Sequence, residues 1–200
     1  MNIGIIGAGI VGGSTGKVLE AKHNVMYYDK YKKEYGDIST IAKDAEIVFT
    51  CVPTPMKPSG EMDYSAIHNS LEFLLDSARK ANRNPRDIIN VIRSTAVSGT
   101  TDRFAQQYPF RFAFNPEFLR EKHAEEDMRN TDRVVIGANS HEVHQKITTM
   151  YKEVFPKAAY FLTDIKTAEM IKYAANVTLA SQAMIANEIY QICNANLQIA

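Results

Sequence analysis

Short apolar runs alternate with segments of helical periodicity along this chain, and that alternation constrains the fold more than any other feature. The runs lie at 2–6, 24–28, 46–52, 87–92, 110–114 and 133–137, and the helical patterns lie at about 10–21, 65–81, 100–107 and 141–154. Near-continuous apolar strands separated by helices are typical of a parallel sheet that is covered on both faces. The sequence therefore predicts an α/β fold with a doubly wound, mainly parallel sheet.

The last part of the chain follows a different pattern. From Ile165 to Ala200 one helix-forming stretch contains neither Gly nor Pro, and Asp164 stands at its N-cap position. We therefore expect a sheet domain over 1–163 and the start of a long helix over 164–200. Because a helix this long without a stop signal is unusual in a small domain, we expect a chain cut from a larger protein. We also expect the helix to pair with a second copy, giving a homodimer.

Composition and charge exclude several classes of partner. The 23 basic residues balance the 23 acidic ones, so no net charge attracts nucleic acid or an anionic membrane surface. No apolar run is long enough to span a bilayer. Cys51 and Cys193 are too few for a disulfide framework and match no metal-ligand spacing, which favours a reducing compartment, by default the cytoplasm.

The segment "GAGIVG" at 7–12 follows the first predicted strand and opens the first predicted helix. In that context Gly7 allows a tight turn, Gly9 lets the backbone approach a pyrophosphate, and Gly12 lets the helix pack on the strand. The sequence thus predicts a Rossmann-like dinucleotide site. Its first members are Gly7, Ala8, Gly9, Ile10, Val11, Gly12, Asp29 and Lys30.

Asp29 gives the glycine pattern more weight. It ends the second predicted strand, 22 residues after Gly7, where a carboxylate binds the ribose hydroxyls of NAD and repels the additional phosphate of NADP. Lys30, Lys32 and Lys33 follow closely, so NADP stays open as an alternative. The predicted cofactor is NAD.

The segment "FNPEFLRE" at 114–121 has the features of a helix start. Asn115 suits the N-cap, Pro116 the first helical position, and Glu117 the positive end of the helix dipole. Glu121 would then share a face with Glu117, an arrangement that calls for a cation or ligand between them. We therefore predict a helix from Pro116 that is also part of a site.

Six motifs together carry a resemblance to a known family. They are "CVPTP" (51–55), "GEMDYSAI" (60–67), "RSTAVSGTT" (93–101), "FNPEFLRE" (114–121), "DRVVIG" (132–137) and "AEMIKYAAN" (168–176). In this order they resemble the UDP-glucose/GDP-mannose dehydrogenase family over essentially all 200 residues. "NPEFLRE" with the following "DRVVIG" is most similar to the enzymes that act on UDP-glucose, and those acting on GDP-mannose come second. The resemblance implies that two NAD oxidise a sugar's primary alcohol twice, through a thiol-bound intermediate, to a uronate.

The resemblance also implies roles for individual residues. Val52, Pro53, Thr54, Pro55, Ser94 and Thr95 would line the NAD site, with Thr95 also near the reacting centre. The substrate segment would comprise Glu117, Phe118, Leu119, Arg120 and Glu121. Within it, Glu117 would handle a proton or water during thioester hydrolysis, and Glu121 would lie beside the nicotinamide and the sugar.

Lys172 and Asn176 lie four apart on one face of the long helix, where the resemblance places an ammonium and an amide around the reacting oxygen. Without the resemblance, Lys172 would instead be a solvated lysine paired with Glu169.

The chain also departs from the family pattern. The nucleophilic cysteine of the family lies in a "GGxCxPKD" segment, which has no counterpart here, and Cys51 and Cys193 resemble small apolar fillers. We therefore expect the chain to bind NAD but not to complete the oxidation alone. The alternatives are a GDP-mannose dehydrogenase, a dehydrogenase of β-hydroxyacid type, and a non-catalytic NAD-binding or assembly module.

Two local differences bear on the site. Only fourteen residues separate Asp29 from Asp44, so a helical excursion near the adenosine is expected to be trimmed. Lys122 stands where the family usually has a Gly or Ser.

Overall fold

The computed structural model describes the backbone of residues 1–197 and the side chains of residues 1–195. The strands are β1 (Asn2–Ile6), β2 (Asn24–Tyr28), β3 (Ile47–Thr50), β4 (Ile89–Ile92), β5 (Arg111–Phe114), β6 (Arg133–Ala138) and β7 (Ala159–Thr163). The helices are α1 (Ile10–Leu19), α2 (Ile38–Asp44), α3 (Ser65–Lys80), α4 (Thr100–Gln107), α5 (Ala124–Arg129), α6 (His141–Val154) and α7 (Ile165–Leu197). Two short 3₁₀ turns occur at Pro85–Asp87 and Glu121–His123.

The seven strands form one sheet in the order β2-β1-β3-β4-β5-β6-β7. All neighbouring pairs are parallel except β5 with β6, which is antiparallel. The α/β class and the mainly parallel, doubly wound sheet are confirmed. The antiparallel pair has a consequence for the site: β6 must begin at the edge where β5 ends, so residues 115–132 lie along the carboxyl rim of β1–β5.

Apolar side chains form one core on each face of the sheet. In β3, Val48 belongs to one core, whereas its neighbours Ile47 and Phe49 belong to the other. This follows from the two-residue repeat of a strand, which sends successive side chains to opposite faces. The continuous apolar runs predicted strands buried on both faces, and β3 and β4 are fully buried. The prediction is wrong for β2, which lies at the edge of the sheet and is at most partly buried.

The structure adds elements that the sequence did not predict. The seven-residue helix α2 is short, and it begins where the side chain of Asp37 accepts a hydrogen bond from the Ser39 N–H at 3.2 Å. Strand β7 is largely exposed and therefore lacks the buried apolar pattern that identified the other strands. Two predicted strands are shorter than their apolar runs. The run at 46–52 contains β3, which ends at Thr50, and the run at 87–92 contains β4, which begins at Ile89.

The helix predicted from Pro116 is wrong. Residues 115–120 are irregular, and helix α5 begins only at Ala124. Asn115 cannot act as an N-cap because its amide is used elsewhere: Nδ2 donates to the Val135 carbonyl at 2.7 Å, and Oδ1 accepts from the Tyr151 hydroxyl at 2.7 Å. The segment is therefore an extended strip along the rim.

The long helix α7 forms as predicted from Ile165, and Asp164 caps it by accepting from the Thr167 N–H at 2.9 Å. Because β7 runs parallel to β6, it ends at the edge opposite the rim, and α7 then runs back across the sheet. Its buried residues include Ile165, Ala168, Glu169 and Lys172, and most later ones are exposed. In the described part of the chain, no helix is both long and apolar enough to cross a membrane.

Candidate functional site

A cleft of about 380 Å³ opens at the carboxyl rim of the sheet. Eleven of the predicted site residues line it: Gly7, Gly9, Ile10, Val11, Asp29, Val52, Pro53, Thr54, Ser94, Thr95 and Glu117. They come from the ends of four strands and from the segment after β5, which the sheet order brings together. Open α/β sheets bind their ligands at this edge.

The glycine turn has the geometry that a bound diphosphate requires. Gly7 has φ +90°, and a Cβ there would lie 2.6 Å from the Cys51 carbonyl oxygen, so no other residue fits without strain. A Cβ on Gly12 would collide with the carbonyl of Gly7. A Cβ on Gly9 would meet nothing within 4 Å, and this residue borders the cleft at the start of α1. The turn therefore leaves open space at a helix N-terminus, where free N–H groups favour an anion.

Asp29 is fixed in place by the backbone around it. Its Oδ2 accepts from the Ala8 N–H and its Oδ1 from the Tyr31 N–H, each at 2.9 Å. Lys32 Nζ donates to the Ala8 carbonyl at 2.7 Å, so the residue inside the glycine turn is held at both ends. Asp29 borders the cleft with acceptor capacity remaining, as a ribose diol requires.

A second pocket of about 190 Å³ adjoins the cleft and shares five residues with it: Gly7, Asp29, Tyr31, Val52 and Pro53. Lys30 borders this pocket, and the exposed ring of Phe73 on α3 forms part of its wall. Its lining is mainly apolar, which suits a flat aromatic base. Cleft and pocket adjoin on either side of Asp29 and together offer space for a dinucleotide.

Hydroxyl groups tie the ends of β3 and β4 together. Ser94 Oγ donates to the Val52 carbonyl at 2.6 Å, and Thr54 Oγ1 donates to the Thr95 carbonyl at 2.9 Å. These bonds hold the walls of the cleft at a fixed separation. Pro55 follows them and is exposed.

Glu117 and Lys172 form a buried ion pair beside the cleft. Lys172 Nζ lies 2.7 Å from Glu117 Oε1 and 2.6 Å from the Glu117 carbonyl oxygen, and both side chains are about nine-tenths buried. The alternative in which a solvated Lys172 pairs with Glu169 does not occur, because Glu169 accepts from the N–H groups of Gly99 and Thr101 at the start of α4. Burial raises the pKa of Glu169, and these hydrogen bonds oppose that shift.

The remaining predicted substrate residues occupy different places. Phe118 and Leu119 border a separate cavity of about 250 Å³, where the Phe118 ring lies 5.3 Å from the Arg133 guanidinium and 5.7 Å from Lys172 Nζ. Arg120 is exposed and pairs with Asp127 at 2.6 Å. Glu121 starts a 3₁₀ turn and is exposed, so it does not share a helical face with Glu117.

Asn176 is also exposed. Because α7 runs past the rim after Lys172, the next turn of the helix has no sheet beneath it. The sequence predicted that Lys172 and Asn176 share one face of α7. It did not predict that α7 extends beyond the sheet between these two residues.

Sequence reasoning missed three residues that line the cleft: Tyr31, Cys51 and Arg93. Arg93 directly precedes the predicted pair Ser94 and Thr95, so its place at a strand end could have been inferred. Burial raises the pKa of the Cys51 thiol to about 12, which leaves it neutral and unreactive. Among the described residues, no group of three His, Cys, Asp or Glu side chains is placed to hold a metal ion.

The sequence matches known proteins over most of its length. Residues 30–155, more than half of the chain, match the sequence model for the NAD-binding domain of the UDP-glucose/GDP-mannose dehydrogenase family. The chain is 33% identical over 157 residues to a UDP-glucose 6-dehydrogenase of Rickettsia felis, an alignment that covers 76% of this chain and 34% of that protein. The chain thus spans about a third of the length of this relative.

Two solved structures have closely similar folds. A UDP-glucose dehydrogenase from the archaeon Pyrobaculum islandicum superimposes with a TM-score of 0.81 at 26% identity, over 94% of this chain and 52% of that one. A GDP-mannose dehydrogenase from Pseudomonas aeruginosa gives a TM-score of 0.80 at 25% identity over the same shares. The chain therefore belongs to the UDP-glucose/GDP-mannose dehydrogenase family, and its residues 30–155 match the NAD-binding domain of that family.

Proposed function

We propose that these 200 residues form the NAD-binding and proton-handling part of an enzyme that oxidises UDP-glucose to UDP-glucuronate in two NAD-dependent steps. One observation carries the proposal: the cleft that contains the glycine turn and Asp29 also reaches Glu117, which is paired with Lys172. The proposed cofactor-binding residues and a carboxylate able to move a proton therefore border one space. We place the reaction in the cytoplasm, because both thiols are free.

The residues of this chain would hold the cofactor as follows. The start of α1, with Gly7 and Gly9, binds the diphosphate, and Asp29 binds the adenosine ribose. Val52, Pro53 and Thr95 shape the wall of the cleft toward Glu117. NAD, when bound, accepts the hydride that leaves the sugar alcohol.

Lys172 is suited to act on an oxygen of the substrate. An ammonium has three N–H donors, and two of them go to Glu117. The third is left to bind a developing oxyanion, a role that electrostatic preorganisation makes effective in a shielded site. Glu117 fixes the position of the Lys172 ammonium. The Leu119 N–H donates to Glu117 Oε2 at 2.7 Å, and this hydrogen bond orients the carboxylate for proton transfer.

The thiol nucleophile would come from outside these 200 residues. Cys51 is neutral at the floor of the cleft, and Cys193 is exposed on α7, more than twenty residues beyond Lys172. We therefore propose that this chain binds NAD and the sugar's reacting end but needs a cysteine-bearing segment for turnover. Glu121 and Asn176, both exposed here, would join the site only when that segment covers the rim.

We further propose that α7 pairs with a second copy of the chain. Ile185, Ile189 and Ile192 lie on one face of the helix and are 57%, 56% and 61% exposed. An apolar stripe of this kind is unusual on the surface of a monomer. A two-fold pairing of α7 would cover the same stripe on both chains.

GDP-mannose is the second candidate substrate. The GDP-mannose dehydrogenase of Pseudomonas aeruginosa matches this fold as well as the UDP-glucose enzyme of Pyrobaculum islandicum does, with TM-scores of 0.80 and 0.81. The identity to the UDP-glucose 6-dehydrogenase of Rickettsia felis favours UDP-glucose. A non-catalytic NAD-binding module would bind the dinucleotide and neither sugar.

Calorimetry and a turnover assay test the proposal. The chain should bind NAD, and with NAD present it should bind UDP-glucose more tightly than GDP-mannose. A version extended by the reading frame that follows codon 200 in the gene should reduce NAD with UDP-glucose. If that frame encodes no "GGxCxPKD" segment, or the extended protein reduces NAD with neither sugar, the enzymatic proposal is wrong and the binding module is favoured.

A further inference from the structure

Arg93 is a buried cation that the proposed chemistry does not use. It follows β4 and is 6% exposed. It borders both the rim cleft and the cavity of about 250 Å³ that Phe118 and Leu119 also line. Its Nη1 donates to Asn115 Oδ1 and, at 3.3 Å, to the Tyr151 hydroxyl, and its Nη2 lies 3.6 Å from Met128 Sδ. Its Nε has no partner among the described residues. All of these partners are neutral.

The charge of Arg93 is therefore not compensated locally. Within the described part of the chain, no carboxylate lies within 4.0 Å of its guanidinium. Burial raises the pKa of the Tyr151 phenol to about 12, so Tyr151 remains neutral at pH 7. Glu117 borders the same cleft, but its charge is balanced by Lys172. A buried cation without a counter-charge is costly, which favours an anionic ligand nearby.

Asp29, the other carboxylate that lines the cleft, is too far from Arg93 to act as its counter-charge. Asp29 follows β2 and Arg93 follows β4, and the order β2-β1-β3-β4 puts three strand spacings between them. At about 4.8 Å per spacing, the two strand ends are about 14 Å apart. The space between them contains the glycine turn, where the free N–H groups of α1 already favour an anion.

We propose that the buried guanidinium of Arg93 supplies the positive field that holds a diphosphate in the rim cleft. Arg93 acts here as an electrostatic partner of the glycine turn, although its N–H groups are directed at Asn115, Tyr151 and Met128 rather than at the ligand. The inference rests on the proposed function, which provides two sources of diphosphate: NAD and the nucleotide sugar. Titrations with each compound separate the two.

The sharpest test places a carboxylate beside Arg93 without altering the cleft. Met128 is 2% exposed, contacts Arg93, and does not line the cleft, so Met128→Glu neutralises the guanidinium from behind. Met128→Gln has the same shape without the charge and is the matched control. Measured at low salt against Met128→Gln, we expect Met128→Glu to weaken NAD binding about tenfold and to leave adenosine, which has no phosphate, unchanged. Equal NAD affinities for the two variants overturn the proposal.

A second pair of variants covers the case in which Met128→Glu does not fold. Arg93→Gln removes the positive charge. Tyr151→Phe removes a hydroxyl that contacts Arg93 and Asn115 but leaves the charge of Arg93 in place. We expect only Arg93→Gln to weaken NAD, and a comparable loss of UDP-glucose affinity would extend the role to the sugar's diphosphate. Equal losses for both variants would assign Arg93 to packing and overturn the proposal. If the unaltered chain binds no NAD, the proposed function itself fails.

Discussion

Lys172 on α7 and Glu117 after β5 are 55 residues apart in sequence, yet their side chains meet at 2.7 Å in a buried ion pair. The contact exists because the antiparallel pairing of β5 with β6 keeps residue 117 at the rim, while α7 crosses the sheet from the opposite edge and reaches the rim two turns later. The pair thus fastens the long helix to the segment that forms the end of the cleft.

Removing Lys172 should destabilise the fold strongly. Lys172→Met leaves the Glu117 carboxylate buried without its cation, and we expect a loss of about 3–5 kcal/mol in the free energy of unfolding. Lys166 lies on α7 like Lys172, but it is exposed and its Nζ is 3.9 Å from Asp102 on α4. Lys166→Met should therefore cost less than about 1 kcal/mol in the free energy of unfolding. Denaturant titration measures both. Similar losses for the two variants would show that the ion pair does not fasten the helix.

Adding Glu117→Gln to Lys172→Met should recover part of that loss, because the double variant leaves no buried charge without a partner. If the two changes are simply additive in denaturant titrations, the residues do not interact as described.

The glycine turn could be predicted from sequence because it depends on local geometry. Gly7, Gly12 and the start of α1 are adjacent in the chain, and the need for a residue without a Cβ is visible in the sequence itself. The strands of the buried sheet were predictable for the same reason, since their apolar runs are continuous.

The partners of the polar rim residues could not be predicted in this way. Asn115 followed the local rules of an N-cap, but tertiary contacts with Val135 and Tyr151 took its amide, and the helix did not form there. The same holds for Glu169, whose local partner Lys172 was lost to Glu117. Local sequence preferences predict structure poorly where buried polar groups find their hydrogen-bond partners in distant parts of the chain.

Asp29 should govern dinucleotide affinity. Asp29→Ala removes the carboxylate that we propose binds the ribose, and also the hydrogen bond that holds the Ala8 N–H. NAD binding should therefore weaken by about tenfold or more, the factor for a loss of about 1.4 kcal/mol. NADP should lose less, because the repulsion of its additional phosphate disappears as well. Asp37→Ala, which removes the cap of α2, is the control and should lower stability slightly without changing NAD affinity. Unchanged calorimetric affinity for NAD in Asp29→Ala would refute the assignment.

The pair Arg120–Asp127 should make stability depend on pH in acid. Hydrogen bonds from the Arg120 side chain and backbone lower the pKa of Asp127 from 3.8 to about 2. In this window the unfolded chain binds more protons than the folded one, so this contribution is complete above pH 3.8 and is lost as the pH falls toward 2. Asp127→Asn should therefore flatten the pH dependence of the unfolding free energy there. If parent and variant keep the same slope, Asp127 is not held by Arg120 in solution.

The exposed stripe on α7 predicts a concentration-dependent dimer. Ile185→Glu combined with Ile189→Glu places two charges in the stripe, and we expect light scattering to show a monomer, because burying unpaired carboxylates opposes association. Asn187→Glu combined with Gln191→Glu adds the same charges on the opposite face of the helix and should leave the dimer intact. Binding of NAD should be the same in both variants, since α7 beyond Lys172 lies outside the cleft. If the unaltered chain scatters as a monomer at working concentration, a second copy does not cover the stripe.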